Sequence, residues 1–175
     1  MTFEQETGTG SETSNSYATV AEADAYLASH LSGGTFAAKT TSQKETLLIH
    51  AARMLDAGVT FKGFKLRLDQ AMAWPRDGVE IDRPYPENYY SNTKVPPCVK
   101  TAQLEVVALL LIGGDRTADA DSDGIASVSL GKGAVAVTFD PNTARTLLGR
   151  IAPAILADFA VSISSKRGMA PVRRA

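Results

Sequence analysis

The chain has 175 residues, of which 44% are hydrophobic, and its formal net charge at pH 7 is −1, so it can bury one ordinary core but not two large domains. Its single cysteine excludes an intramolecular disulfide, and its two histidines exclude a Cys/His metal cluster. The longest apolar run, residues 106–112, is far below the roughly twenty residues of a membrane span, and the acidic residues 1–6 do not follow the pattern of a secretory signal, so we expect a soluble protein made in a cytoplasm.

The N-terminal part of the chain predicts an arm followed by a helix. Residues 1–16 are rich in Gly, Ser, Thr and Glu, so we expect a flexible acidic arm with little structure of its own. Thr19 and Glu22 have the spacing of a capping box, in which a hydroxyl and a carboxylate satisfy backbone donors at the start of a helix. This pattern predicts a helix from about Val20 to His30.

Two longer helices are predicted next. Ser42 and Glu45 form a second capping box, which opens an amphipathic helix that ends at Gly58. After a stretch rich in Gly and Pro, the prolines at 96–97 open the strongest helix, because proline is tolerated in the first turn. The glycines at 113–114 end that helix.

The spacing of the apolar residues then changes from helical to alternating. Residues 125–130 and 134–139 alternate around the turn at 131–133, which is typical of a β-hairpin. A two-stranded hairpin is only marginally stable alone, so we expect this one to lie on the helices or on a neighbouring subunit. A last helix is predicted from about residue 140, with a break or kink at Pro153.

These elements predict a mainly α fold: a small helical bundle with one β-hairpin and extended N- and C-terminal arms. We divide the chain into the acidic arm at 1–16, a helical domain at 17–161 that includes the hairpin at 125–139, and a basic tail at 162–175. The oppositely charged ends have two interpretations. They are either two solvated termini or arms that meet oppositely charged surfaces on different partners.

Motifs that could support catalysis or metal binding are incomplete. The acidic loop before the hairpin resembles a calcium-binding loop, but the twelfth position counted from Asp119 is Leu130, where such a loop has a glutamate. Neither Gly-Thr-Gly nor Gly-Lys-Gly is followed by the Gly-Lys-Ser/Thr of a phosphate-binding loop. His30 and His50 fit structural roles at a helix end and within a helix. We therefore predict no enzymatic activity, no metal and no cofactor.

Recognition of nucleic acid is the remaining candidate chemistry. Residues 61–67 interleave two aromatic side chains with three basic ones, Phe61 and Phe64 with Lys62, Lys65 and Arg67. One interpretation is a platform on which bases stack beside a groove that follows phosphates. The other interpretation, which we favour, is that both rings pack in the core while the basic side chains extend into solvent.

The turn around Trp74 has the same two interpretations. A tryptophan can stack on a base, but a lone one fixed by Pro75 is more often a core anchor, and we interpret this turn as structural. Arg76 is then a candidate partner for a carboxylate or for the carbonyl groups at a helix end.

Three motifs together resemble a known family. They are the Gly-Thr-Gly leader at 8–10, the pattern Ser-Tyr-x-Thr-x-x-Glu-Ala-Asp-x-Tyr that contains Tyr17 and Tyr26, and the pattern Gln-x-x-x-Trp-Pro-Arg at 70–76. From residue 8 to residue 76 the chain is similar to the adaptor proteins of tailed bacteriophages, a head-to-tail connector family often described as DnaT-like and single-stranded-DNA-binding. We assign structural roles to Tyr17, Tyr26, Trp74, Pro75 and Arg76.

The resemblance implies a structural protein of the virion. Such a protein forms a ring of about twelve subunits, a dodecamer, that docks on the portal protein and extends the DNA channel toward the neck and tail. Its expected partners are copies of itself, the portal, the next neck or tail-terminator component, and double-stranded DNA that passes during genome ejection without sequence-specific binding. Its expected place is the neck of the virion, after synthesis in the cytoplasm of the bacterial host and without contact with a membrane.

Two groups of residues follow from that interpretation. A lumen through which DNA slides should be mixed or acidic, which gives as candidate channel-lining residues Asp119, Asp121, Asp123 and Lys132. The basic tail is expected to bind the portal in extended form, through Arg167, Met169, Val172, Arg173 and Arg174. The alternative from a different functional class is a single-stranded-DNA-binding accessory protein of replication, and an unrelated helical enzyme subunit is a third, more remote alternative.

Overall fold

The computed structural model describes most of the helical part of the chain, namely residues 2–81, 89–113, 127–130, 135–138, 148–149 and 151–163. Within these residues the chain forms five helices: α1 (Val20–Leu27), α2 (Gly33–Ala37), α3 (Thr41–Gly58), α4 (Pro97–Gly113) and α5 (Ile151–Ile155). No helix in this part of the chain has both the length and the apolar content that crossing a membrane requires. The fold is mainly α, as the sequence predicts.

Six short strands accompany the helices and pair antiparallel in three two-stranded ladders within the described ranges. They are β1 (Val59–Phe61) with β6 (Ala160–Ile163), β2 (Phe64–Lys65) with β3 (Arg76–Asp77), and β4 (Ser127–Leu130) with β5 (Val135–Thr138). The pair β4–β5 confirms the predicted hairpin. The strand β6 is a difference from the sequence analysis, because it spans the boundary at which a tail without regular structure is expected to begin.

The start of α1 agrees with its predicted cap. The Thr19 hydroxyl accepts a hydrogen bond from the Glu22 N–H at 3.1 Å, and the Glu22 carboxylate accepts one from the Thr19 N–H at 2.7 Å. The helix ends at Leu27, three residues before the predicted end. The chain turns sharply there, since a Cβ on Gly33 would lie 2.3 Å from the Leu27 carbonyl oxygen.

The cap of α3 lies two residues before the predicted one. Thr40 and Gln43 form the capping box, so Ser42 and Glu45 lie inside the helix. Both pairs satisfy the same sequence pattern, because Gln can reach back to the N-cap backbone as Glu does. The end of the helix at Gly58 is as predicted.

The core lies between α3 and α4, with α1 and α5 packed against α4. Trp74 is fully buried at one end of this core. Three rings make edge contacts with it at centroid distances of 5.8 to 5.9 Å, those of Phe61, Tyr90 and Phe159. Since Phe61 belongs to β1 and Phe159 precedes β6, this aromatic cluster joins the β1–β6 ladder to the helices.

Candidate nucleic-acid interface

The N-terminal residues fold into a tight turn around one carboxylate. Glu6 is 1% exposed, and its carboxylate accepts hydrogen bonds at 2.8 to 3.1 Å from the N–H groups of residues 8 to 11 and from the Ser14 hydroxyl. We call residues 6–14 the Glu6 turn. The composition of residues 1–16 predicts little local structure here, but a buried acid that accepts five hydrogen bonds organises the segment.

These hydrogen bonds also change the acidity of Glu6. Burial by itself would raise the pKa of the carboxyl, because it disfavours the charged form. The hydrogen bonds from Ser14 and from the backbone of Gly8, Gly10 and Ser11 outweigh burial and lower the pKa of Glu6 below its usual 4.5. The turn therefore favours the ionised carboxylate.

A buried glutamine fastens the end of this segment to the helices. The Gln103 side-chain oxygen accepts hydrogen bonds from the N–H groups of Tyr17 and Ala18 at 3.0 and 2.9 Å. The Gln103 amide nitrogen donates to the Ser16 hydroxyl and to the Leu48 carbonyl, both at 2.8 Å. Sequence reasoning missed Gln103, since a single polar residue in an apolar helix carries no pattern that reveals its partners.

Tyr17 and Asp56 hold the backbone of the Trp74 turn. The Tyr17 hydroxyl donates to Asp56 at 2.5 Å and accepts from the N–H groups of Ala73 and Trp74, while the other Asp56 oxygen accepts from Ala73 at 2.9 Å. Burial raises the pKa of Asp56, although these hydrogen bonds oppose the shift. Burial and then the Asp56 charge raise the pKa of Tyr17 well above its usual value.

Arg76 binds backbone carbonyl groups rather than a helix end. Its guanidinium donates at 2.6 to 3.3 Å to the carbonyl oxygens of Phe61, Lys62, Gly63 and Ala73. Burial lowers the pKa of Arg76. The contacts fix the turn between β1 and β2, where Gly63 has φ +71° and a Cβ would lie 2.2 Å from the Asp77 carbonyl oxygen.

This turn sends the two phenylalanines of the basic motif to opposite sides. Phe61 is 4% exposed and lies in the core, as the favoured interpretation predicts, whereas Phe64 is 78% exposed on β2. Lys65 follows Phe64 on the strand and pairs in register with Arg76 on β3. One ring of the motif is thus structural and the other is free to contact a ligand.

Three basic residues flank Phe64 in the sequence, Lys62, Lys65 and Arg67. Lys65 donates to the Gln70 carbonyl at 3.2 Å, and Arg67 pairs with Asp69 at 3.1 Å. Leu68 is fully exposed beside them. The buried Gln70 amide supports the loop by bonding the Arg67 N–H and two backbone carbonyl groups. Residues 62–68, which we call the basic loop, present an aromatic ring with cations on a fixed backbone.

The other residues singled out in the sequence have structural surroundings or lie outside the described ranges. The Tyr26 hydroxyl donates to Glu105 at 2.6 Å, and burial together with this contact raises the pKa of Tyr26 to about 12. His30 lies 3.9 Å from the same carboxylate. Within the described ranges, no group of three or more His, Cys, Asp or Glu is placed to hold a metal ion. The structure does not describe the candidate channel-lining or portal-binding residues Asp119, Asp121, Asp123, Lys132, Arg167, Met169, Val172, Arg173 and Arg174.

Comparison with known proteins gives a match to a family model. A family model described as "Putative DnaT-like ssDNA binding protein" matches residues 1–175. No curated protein and no solved structure matches the chain.

The family match corrects the connector interpretation. It covers the whole chain with a family described as DnaT-like and ssDNA-binding, and nothing in it indicates a phage head-to-tail connector. The expectations that depended on that interpretation are wrong as well. They are the ring, the portal and tail partners, the passing double-stranded DNA and the place in the virion neck. The motifs behind it fall on Tyr17, Trp74 and Arg76, whose contacts stabilise the fold and do not specify a partner.

Proposed function

The chain belongs to the DnaT-like ssDNA-binding protein family, and from this premise we propose that it binds single-stranded DNA as an accessory protein of replication. The proposed activity is binding, with no chemical step on the DNA. The observation that carries the proposal is the match of the family model to all 175 residues.

The basic loop is the surface that best fits this activity. Single strands are bound without sequence readout when bases stack on aromatic side chains and cations follow the phosphates. Phe64 offers an exposed ring, and the basic loop carries three cations within six residues of chain, Lys62, Lys65 and Arg67. A duplex hides its base faces, so this surface favours a single strand.

The charges around the loop predict modest affinity. Arg67 already pairs with Asp69, and Lys65 with a backbone carbonyl, so a phosphate has to replace these partners. The whole chain has a formal net charge of −1, which gives no long-range attraction to DNA. We therefore expect binding that weakens steeply with salt, with a slope of about −0.7 per phosphate contacted.

A titration with labelled DNA tests the proposal. Fluorescence anisotropy of a labelled oligothymidylate of about twenty nucleotides, longer than the roughly 4–16 nucleotides that small binding domains cover, is measured at about 50 mM and about 200 mM salt. We expect saturable binding at the lower salt and weaker binding at the higher. A duplex of the same length should bind more weakly than the single strand. Equal affinity for both DNAs, or no binding to either, would overturn the proposal.

A further inference from the structure

A second polar surface lies beside the Glu6 turn. It is a cavity of about 300 Å³ lined by Gln5, Glu6, Thr7, Lys94, Val95 and Lys100. Two of its six lining residues are lysines, and Lys94 is exposed. Within the described residues Lys94 makes no ion pair, so its ammonium group is available to an anion.

The acids near this cavity are already engaged. The Glu6 carboxylate is satisfied by its five donors. Lys100 lies 2.7 Å from Glu22, whose carboxylate also caps α1. Burial by itself would raise the pKa of Glu22, but the hydrogen bonds from Lys100 and Thr19 outweigh burial and lower this pKa. The five donors to Glu6 are neutral, so its carboxylate keeps its negative charge on this lining. Lys94 is the lysine of the lining that makes no ion pair in the described part of the chain, and Thr7 adds a hydroxyl donor.

The Glu6 turn joins this cavity to the basic loop. A Cβ on Gly8 would lie 2.1 Å from the Thr93 carbonyl oxygen and 3.0 Å from the backbone nitrogen of Lys94. A Cβ on Gly10 would lie 3.1 Å from the Arg67 side chain. Gly8 and Gly10 are two residues apart, and two residues of extended chain span about 7 Å at most. The backbone beside Lys94 and the Arg67 side chain therefore both approach this one short segment. The Gly-Thr-Gly motif allows both close approaches.

We propose that this cavity binds a backbone phosphate of the strand whose bases stack on Phe64, so that the strand crosses the Glu6 turn between the basic loop and Lys94. The inference rests on the proposed function and adds a second contact to it. It assigns the cavity to a phosphodiester and the Gly-Thr-Gly segment to the path of the strand. A short strand fills the basic loop alone, whereas a longer one reaches both contacts.

The test compares two lengths of DNA and two lysine variants of the full chain. Anisotropy is measured with oligothymidylates of about six and about twenty nucleotides, for the unsubstituted protein, Lys94→Gln and the control Lys39→Gln. Lys39 precedes α3 and does not line the cavity. We expect Lys94→Gln to weaken binding of the longer strand about threefold to fivefold and to reduce its salt slope by about 0.7. The shorter strand should bind both variants equally.

The outcomes separate this inference from the proposed function. If Lys94→Gln behaves like Lys39→Gln on the longer strand, or weakens both lengths equally, the second contact is wrong while the binding activity stands. If the unsubstituted protein binds neither strand, both proposals fail. Calorimetry with inorganic phosphate alone gives a third readout. Saturable binding that Lys94→Gln abolishes, without any change for the longer strand, would assign the cavity to a free anion and overturn the inference.

Discussion

Phe61 and Phe64 are separated by a turn that requires Gly63, and their surroundings differ accordingly. Phe61 touches Trp74 in the core, and Phe64 lies in solvent. We expect Phe61→Ala to lower the free energy of unfolding by about 3–5 kcal/mol, because it leaves a cavity in the core, and Phe64→Ala to change it by less than about 0.5 kcal/mol. Urea unfolding followed through the single tryptophan measures both. Similar costs for the two variants would contradict their assignment to core and surface.

Gln103 is the residue whose loss should separate the N-terminal segment from the helices. Gln103→Leu keeps the size of the side chain but leaves the N–H groups of Tyr17 and Ala18 and the Leu48 carbonyl without this partner. An unpaired buried polar group costs about 1–3 kcal/mol, so we expect a loss of about 3 kcal/mol or more in the free energy of unfolding. Urea unfolding at pH 7 measures this loss. A loss below about 1 kcal/mol would show that the hydrogen bonds of Gln103 contribute little to stability.

Glu6 gives the fold a dependence on pH. Its folded-state pKa is lowered below 4.5, so its contribution is present above the unfolded pKa and is lost as the pH falls through the folded one. We expect Glu6→Gln to be less stable than the unsubstituted chain by about 2–4 kcal/mol at pH 7, with a difference that shrinks below pH 4.5. Unfolding curves of both proteins across this range measure it. A difference that is constant with pH would show that the charge of Glu6 is unimportant.

Among the elements, α3 provides a matched pair of cap variants. Thr40 accepts the hydrogen bond from the Gln43 N–H, and Ser42 lies in the first turn of the helix. We expect Thr40→Ala to cost about 1 kcal/mol and Ser42→Ala to cost less than about 0.5 kcal/mol. Thermal unfolding followed by circular dichroism compares the two. A larger loss of stability for Ser42→Ala would support Ser42 as the N-cap, as the sequence pattern predicts.

The elements also show what the sequence could predict about the fold. The start of α1, the extent of α4 and the β4–β5 hairpin depend on local patterns of caps, prolines and alternation, and they agree with the structure. The β1–β6 ladder was missed because it joins distant parts of the chain through strands of three and four residues. Such short strands carry too few residues for an alternation to be recognised.

The candidate interface was predictable in part. The interleaved aromatic and basic residues are visible in the sequence, but their spacing does not say which ring is buried. That depends on Arg76, which fixes the turn through four carbonyl groups, and on the positive φ of Gly63. The Glu6 turn depends on five hydrogen bonds to one carboxylate, and no periodic pattern in the sequence predicts them.

For the whole molecule, the near-neutral charge decides how the interface should work. A chain with 18 basic and 19 acidic residues does not attract DNA through its overall field. Binding must then come from local contacts, with stacking on Phe64 contributing a part that salt does not screen. The buried aromatic cluster around Trp74 keeps the basic loop on a rigid support, which limits the entropy lost on binding.

The affinity of Phe64→Ala for single-stranded DNA tests the central claim most directly. Leu68→Ala is the matched control, because it removes another exposed apolar side chain from the same loop. In anisotropy titrations at about 50 mM salt, we expect Phe64→Ala to weaken binding by on the order of tenfold, through the loss of one stacked base. Leu68→Ala should stay within about twofold of the unsubstituted chain. Equal affinities for Phe64→Ala, Leu68→Ala and the unsubstituted chain would contradict the claim that this ring binds DNA.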